Sequence, residues 1–169
     1  AIPDKFKAFA QLSYGSFGTN QQRLWVGNSH KNIDYVFEVS RMASNGFKEL
    51  DNDGNTGFDR RDLMGKVRWH TATNAKMPQS VELKFVSSTE KGDETYLGLT
   101  YDDYQANPLR RYAASQNDIL DMYHRHIALN HSIVPTKGLS IHTTAYYANT
   151  FRDWARVNTI GGQSIANIL

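Results

Sequence analysis

Polar and apolar residues alternate through much of the first hundred positions. "DYVFEVSRM" (34–42) puts Tyr35, Phe37 and Val39 on one side of an extended chain. "GKVRWHTAT" (65–73) sets Val67, Trp69 and Thr71 against Lys66, Arg68 and His70, and "SVELKFVSS" (80–88) sets Val81, Leu83 and Phe85 against Glu82, Lys84 and Val86. "TYLGLTYDD" (95–103) sets Leu97, Leu99 and Tyr101 against Tyr96, Gly98 and Thr100. A period of two predicts half-buried strands. "LWV" (24–26) adds a short apolar run, and "AQLSYGSFG" with "QQRLWVGN" fits a hairpin around "GTN". The separators "NAKMPQ" (74–79) and "TEKGDE" (89–94) are turn-like. Links this short imply an antiparallel meander, because parallel strands need long crossovers.

Near residue 105 the pattern changes and predicts helices. Ser115 is placed to cap "QNDILDMYHRHIALNH", with Asp118 three residues on. Ile119, Tyr123 and Ile127 recur every fourth residue, and Met122 widens their stripe. "VPTKG" (134–138) breaks this helix. A second is expected from about Ser140, with Ile141, Ala145, Ala148, Phe151 and Ala155 on one side and "GG" at 161–162 ending it. The expected class is α+β: a single domain over 1–169, mainly β over 1–104 and mainly α over 105–160, with a tail at 161–169.

Composition narrows the function. Hydrophobic residues make up 40% and charged residues 21%, a globular balance. At 169 residues one domain can bury roughly 70% of its unfolded surface, so folding needs no metal or disulfide. The absence of cysteine excludes disulfides, thiolate zinc sites and thiol nucleophiles. A net charge of +2 permits a polyanionic partner without demanding one. No apolar run is long enough for a membrane-spanning helix, so no membrane partner is expected. The charged start "AIPDKFKAFA" is unlike a secretory signal and is read as an intracellularly made chain that has lost its initiator Met.

"FKELDNDGNTGFDRRDL" (47–63) spells a calcium loop in part. Asp51, Asp53, Asn55 and Asp62 fall where an EF-hand puts its first, third, fifth and twelfth ligands, and Phe58 takes the apolar anchor position. Thr56 stands where the turn glycine belongs, the exit segment alternates like a strand, and no second copy exists. The stretch therefore reads as a polar turn between strands, with a calcium-dependent binding module as the alternative. In "DMYHRHIALNH", Asp121, His124 and His131 share a helical side, but His131 lies roughly 10 Å beyond His124, too far for one metal. His124 and His126 would point apart on a helix. No nucleophile elbow, HExxH, Walker loop or dinucleotide fingerprint is present, so neither enzyme activity nor a cofactor is expected.

Lys66, Arg68, His70 and Lys84 occupy outward positions of two successive predicted strands, with Tyr96 on the next. Cations interleaved with an aromatic ring suit phosphate contacts and base stacking. The order of elements resembles the coat proteins of single-stranded RNA bacteriophages. The likeness rests on "GKVRWHTATNAKMPQSVELKFVSS", "TYLGLTYDDY" and "AASQNDILDMYHRHIALNHS", over roughly residues 64–134. The chain is longer than the familiar coats, with the extra residues near 42–63 and after the first predicted helix. The resemblance implies an obligate homodimer that assembles into an icosahedral shell, made in the host cytoplasm and residing in the virion. It also implies that single-stranded RNA binds across Lys66, Arg68, His70, Lys84 and Tyr96. Ile119, Met122, Tyr123 and Ile127 would then face the partner subunit. Calcium between subunits, on the 51–62 oxygens, is a secondary expectation.

Overall fold

The computed structural model describes residues 1–72 and 74–165. In chain order its elements are β1 (Lys7–Tyr14), β2 (Asn20–His30), β3 (Ile33–Ser44), β4 (Glu49–Leu50), β5 (Phe58–His70), β6 (Gln79–Asp93), α1 (Tyr101–Ala106), β7 (Arg110–Arg111), a 3₁₀ turn (Ala113–Ser115), β8 (Ile119–Thr136), β9 (Leu139–Ala155), β10 (Thr159–Ile160) and β11 (Gln163–Ser164). Seven strands form one antiparallel sheet in the order β1-β2-β3-β5-β6-β8-β9. Each long strand therefore pairs with the next long strand in the chain, and the expected meander and N-terminal hairpin are both present. The last position of the predicted strand 65–73 lies outside the described residues, as do 166–169 of the tail.

The expected α+β class is overturned. Strand accounts for 62% of the described residues and helix for 6%, and the two C-terminal helices are the strands β8 and β9. The misreading has a physical cause. A four-residue spacing fits a helix turn, but four is even, so it also fits one face of a strand. Ile119, Tyr123 and Ile127 do share a face of β8, whereas Met122 lies on the other. Further along, Ile127, Leu129, His131 and Ile133 alternate with Ala128, Asn130 and Ser132, which is the strand signature. β9 carries Thr143, Thr144, Tyr146, Tyr147, Thr150 and Phe151, β-branched and aromatic residues that pack well on a pleated surface and favour helix little. "KG" at 137–138 does not end a helix. It is the loop of the β8–β9 hairpin, with Gly138 at φ 87°. Pro135, in the last turnward stretch of β8, falls where the register shifts between Ile133 and Thr136, a position where a strand tolerates the missing donor.

Two further expectations change. "TEKGDE" is not a turn, because β6 runs on through Asp93. The predicted strand 95–103 is a loop leading into α1. Thr100 caps that helix by accepting from the Asp103 amide at 3.3 Å, and Asp102 and Asp103 complement its first turn.

A small polar-tied core sits where the segments 45–57 and 94–118 meet. β4 pairs in parallel with β7. Lys48 Nζ donates to Thr95 Oγ1 at 2.8 Å, and Arg110 bridges Asp51 and Asp103, each at 2.7 Å. Asp118 and Ser115, expected to start a helix, instead hold loops together. The Asp118 carboxylate accepts from the Tyr96 and Val157 amides at 3.0 and 2.8 Å, and the Ser115 hydroxyl accepts from the Leu97 amide at 3.4 Å. Leu50 and Leu97 are buried beside them.

The large sheet itself has no second layer among the described elements. Directly paired residues put their side chains on the same face, so the register assigns every position. One face carries Tyr35, Phe37, Val39, Leu63, Val67, Trp69, Leu83, Phe85, Ile127, Leu129, Tyr147 and Phe151. The other carries Asp34, Val36, Glu38, Lys66, Arg68, Glu82, Lys84, His126, Ala128, Asn130 and Tyr146. Exposure runs opposite to polarity: Val67, Leu83, Ile127 and Leu129 are exposed, while Lys66, Lys84 and His126 are half-buried among neighbouring long side chains. As a single chain the sheet is inside out.

Candidate functional site: the two faces of the sheet

The polar face gathers four of the five residues expected to contact RNA. Lys66 and Lys84 are direct cross-strand partners, and Arg68 and His70 follow Lys66 on the same face of β5. Tyr96 is not among them. It leaves the sheet after β6 and packs edge-on to Trp154 at 5.6 Å, with the Arg156 guanidinium 4.1 Å above its ring. Trp154 lies eight residues along β9 from the Lys66–Lys84 row, roughly 27 Å away.

Acids share this face and hold most of its cations. Asp34 accepts from Arg68 at 2.6 Å and lies 3.5 Å from His70. Burial pushes the Asp34 carboxyl up, but the hydrogen bond and charge of Arg68 outweigh it and leave the group below its ordinary value. Lys66 reaches Glu82 at 3.3 Å. Lys84 makes no ion pair among the described residues. Toward β2 and the far end of β5, Arg23–Glu38 and Arg60 with Asp62 and Glu90 continue the pairing. The part of this face on β2, β3, β5 and β6 is therefore a lattice of ion pairs, and Lys84 stands at its edge.

The apolar face is the reverse side of the same strands. Phe37 and Phe85 lie 6.4 Å apart, and Tyr123 stacks on Phe151 at 5.4 Å. Phe85 lies over Gly65, its cross-strand partner, in space that a Cβ at that position would occupy. Three of the four expected interface residues, Ile119, Tyr123 and Ile127, are on this face, while Met122 is on the polar one. The apolar field has a charged margin at one end, where Asp59 takes bonds from Arg41 and Arg61. The Arg41 and Arg61 hydrogen bonds hold the Asp59 carboxyl down at about 2.

The calcium-like stretch does not converge. Asp51 is bound by Arg110, the Asn55 side chain caps the Gly57 amide at 3.1 Å, and Asp62 lies out on β5 with Arg60 and Ser88. Asp53 sits in the turn at φ 58°.

Sequence reasoning missed the polar side of β8 and β9. There His124 and His126 do not point apart. They are two residues apart on a strand, share a face, and their rings are 6.3 Å apart. His126 meets Tyr146 edge-on at 6.1 Å, His124 bonds Thr150 at 2.8 Å, and Thr144 donates to Asn130 at 2.9 Å. The alternation in "HRHIALNH" is the signal that would have shown it. No protein-family model matches this chain, and neither a curated protein nor a solved structure is significantly similar to it.

Proposed function

We propose that the chain is a structural, self-assembling RNA-binding protein: an obligate homodimer that builds a closed shell and packages single-stranded RNA on its polar sheet face. The observation that carries this reading is the uncovered apolar face. A compact monomer of 19.2 kDa has about 8,400 Å² of accessible surface by the usual scaling, whereas this chain exposes 11,520 Å². The surplus, about 3,100 Å² per chain, comes to about 6,200 Å² over two copies, at the large end of obligate interfaces. Monomers seldom carry apolar patches beyond a few hundred Å².

A second copy is the natural cover. The face is broad and mainly aliphatic and aromatic, with Arg125 lying over the Tyr123 ring at mid-β8 and Asp59, Arg41 and Arg61 at its margin, a composition that a homodimer interface holds. The resemblance to phage coats gave the covering role to helices. With those segments folded as strands, the partner's sheet takes that role. β9 offers a further contact, since its seventeen residues are exposed along their whole length at the sheet edge. Such an edge invites pairing with another strand. With the apolar side turned to the partner, the polar face remains for RNA, and repetition across a shell makes modest contacts per subunit sufficient.

Electron microscopy and nucleic-acid analysis of material purified from expressing cells test this reading. Closed particles containing RNA are expected. Lys66→Ala with Lys84→Ala should lower the RNA content and flatten its salt dependence while particles still form. A stable RNA-free monomer would overturn the proposal.

A further inference from the structure

The polar face divides into two halves by charge. Every acid on it (Asp34, Glu38, Asp62, Glu82 and Glu90) lies on β3, β5 or β6. On β8 the residues facing the same way are Leu120, Met122, His124, His126, Ala128, Asn130 and Ser132, and on β9 they are His142, Thr144, Tyr146, Ala148, Thr150, Arg152 and Trp154. None is acidic, although β8 and β9 carry Asp121 and Asp153 on their apolar side. This half offers histidine, arginine, amide, hydroxyl and aromatic groups with no carboxylate to repel a phosphate.

One cross-strand row joins the halves: Val36, Lys66, Lys84, Ala128 and Tyr146 lie side by side on β3, β5, β6, β8 and β9. Ala128 is small and its methyl is covered by the longer side chains around it, so Lys84 and Tyr146 flank it on the face. Their backbones are about 9.6 Å apart, two strand spacings. Tyr146 is 73% exposed, and the edge contact with His126 steadies its ring without covering it. A cation with no ion pair among the described residues on one side and an open aromatic face on the other match a single nucleotide, with phosphate on Lys84 and base on Tyr146.

We infer that the seam where β6 meets the β8–β9 half of the polar face is a subsite for unpaired nucleotides, in which Tyr146 on β9 stacks a base and Lys84 on β6 holds the adjoining phosphate. The inference rests on the proposed RNA binding and sharpens it. Stacking needs a base free of its own helix, so the site selects single strands over duplex. The acid-bearing half, with Lys66 and Arg68 already paired, contributes less than the sequence pattern implied.

The test is fluorescence anisotropy of the full chain with labelled oligouridylate, oligoadenylate and an RNA duplex of equal length, over a range of salt. Light scattering checks that each variant keeps the parent's mass. Tyr146→Ala should weaken single-strand binding about 5- to 150-fold with an unchanged salt slope, since a stacked base but no phosphate is lost. Tyr146→Phe should bind as the parent does. Lys84→Ala should lower the salt slope by about 0.7. Tyr146→Ala binding like the parent, or duplex bound as tightly as single strands, would overturn this subsite while leaving the proposed function standing. Failure of the parent to bind any of the three RNAs would overturn both.

Discussion

Leu129→Lys places a charge at the centre of the apolar face. Leu129 sits on β8 opposite Leu83, and the two are 46% and 43% exposed in the single chain. Full burial of a leucine is worth about 1.5–3 kcal/mol, so the part left to a partner is worth about 1 kcal/mol per copy. A twofold interface counts it twice, giving about 2 kcal/mol per dimer. Leu129→Ala should therefore raise the dimer Kd about 30-fold. Leu129→Lys adds an unpaired ammonium under the partner on each side, at several kcal/mol apiece. That amounts to a Kd increase beyond about 10⁴-fold and a dissociated protein at micromolar concentration. Asn130→Lys is the matched control, since Asn130 is the next residue and faces the polar side. Sedimentation velocity reads all three variants. Dissociation by Leu129→Lys with assembly intact in Asn130→Lys is the expected outcome. Equal behaviour of the two lysine variants would refute the assignment of faces.

Three more outcomes follow from the same geometry. Gly65→Ala should lower stability by about 1–3 kcal/mol in chemical denaturation, because the new methyl displaces the Phe85 ring; paired with Phe85→Leu the loss should be less than additive. The Asp59 carboxyl is held at about 2 against an ordinary 3.8, so its contribution is present above pH 3.8 and lost as pH falls toward 2. The Arg41 and Arg61 bridges are solvent-facing, so that contribution is about 1 kcal/mol at most, and Asp59→Asn should flatten the acid limb of a stability-versus-pH profile by that amount. Glu82→Gln releases Lys66 from its 3.3 Å ion pair, and should tighten RNA binding and steepen the salt slope by about 0.7 in anisotropy titrations.

The hairpin and the strands at 34–42, 65–70 and 80–88 were legible because their alternation is clean. Polar and apolar residues alternate over 34–42, 65–70 and 80–86; the strands derived at 34–42 and 80–88 lie within β3 and β6, and the one at 65–73 overlaps β5 and runs past its end at His70. The C-terminal third was illegible for a specific reason. Ile119, Tyr123 and Ile127 satisfy both periods, and Ser115 with Asp118 imitates a capping box while serving as a knot between loops. Local spacing cannot separate these cases, because sheet pairing with β6 decides them from across the chain. The candidate site followed the same divide. The Lys66–Lys84 pairing came from two clean strands, whereas Tyr146 could not join it until β9 was known to be a strand. The acids that neutralise Arg68 and Lys66 were in view, but Asp34 on β3 joins Arg68 only through the register.

Everything above turns on a second copy covering the apolar face. Its most direct test is the light-scattering mass of the purified chain at micromolar concentration. A mass at or above twice the 19.2 kDa of one chain, with no monomer detected, is expected. A monodisperse, folded species of 19.2 kDa would contradict it.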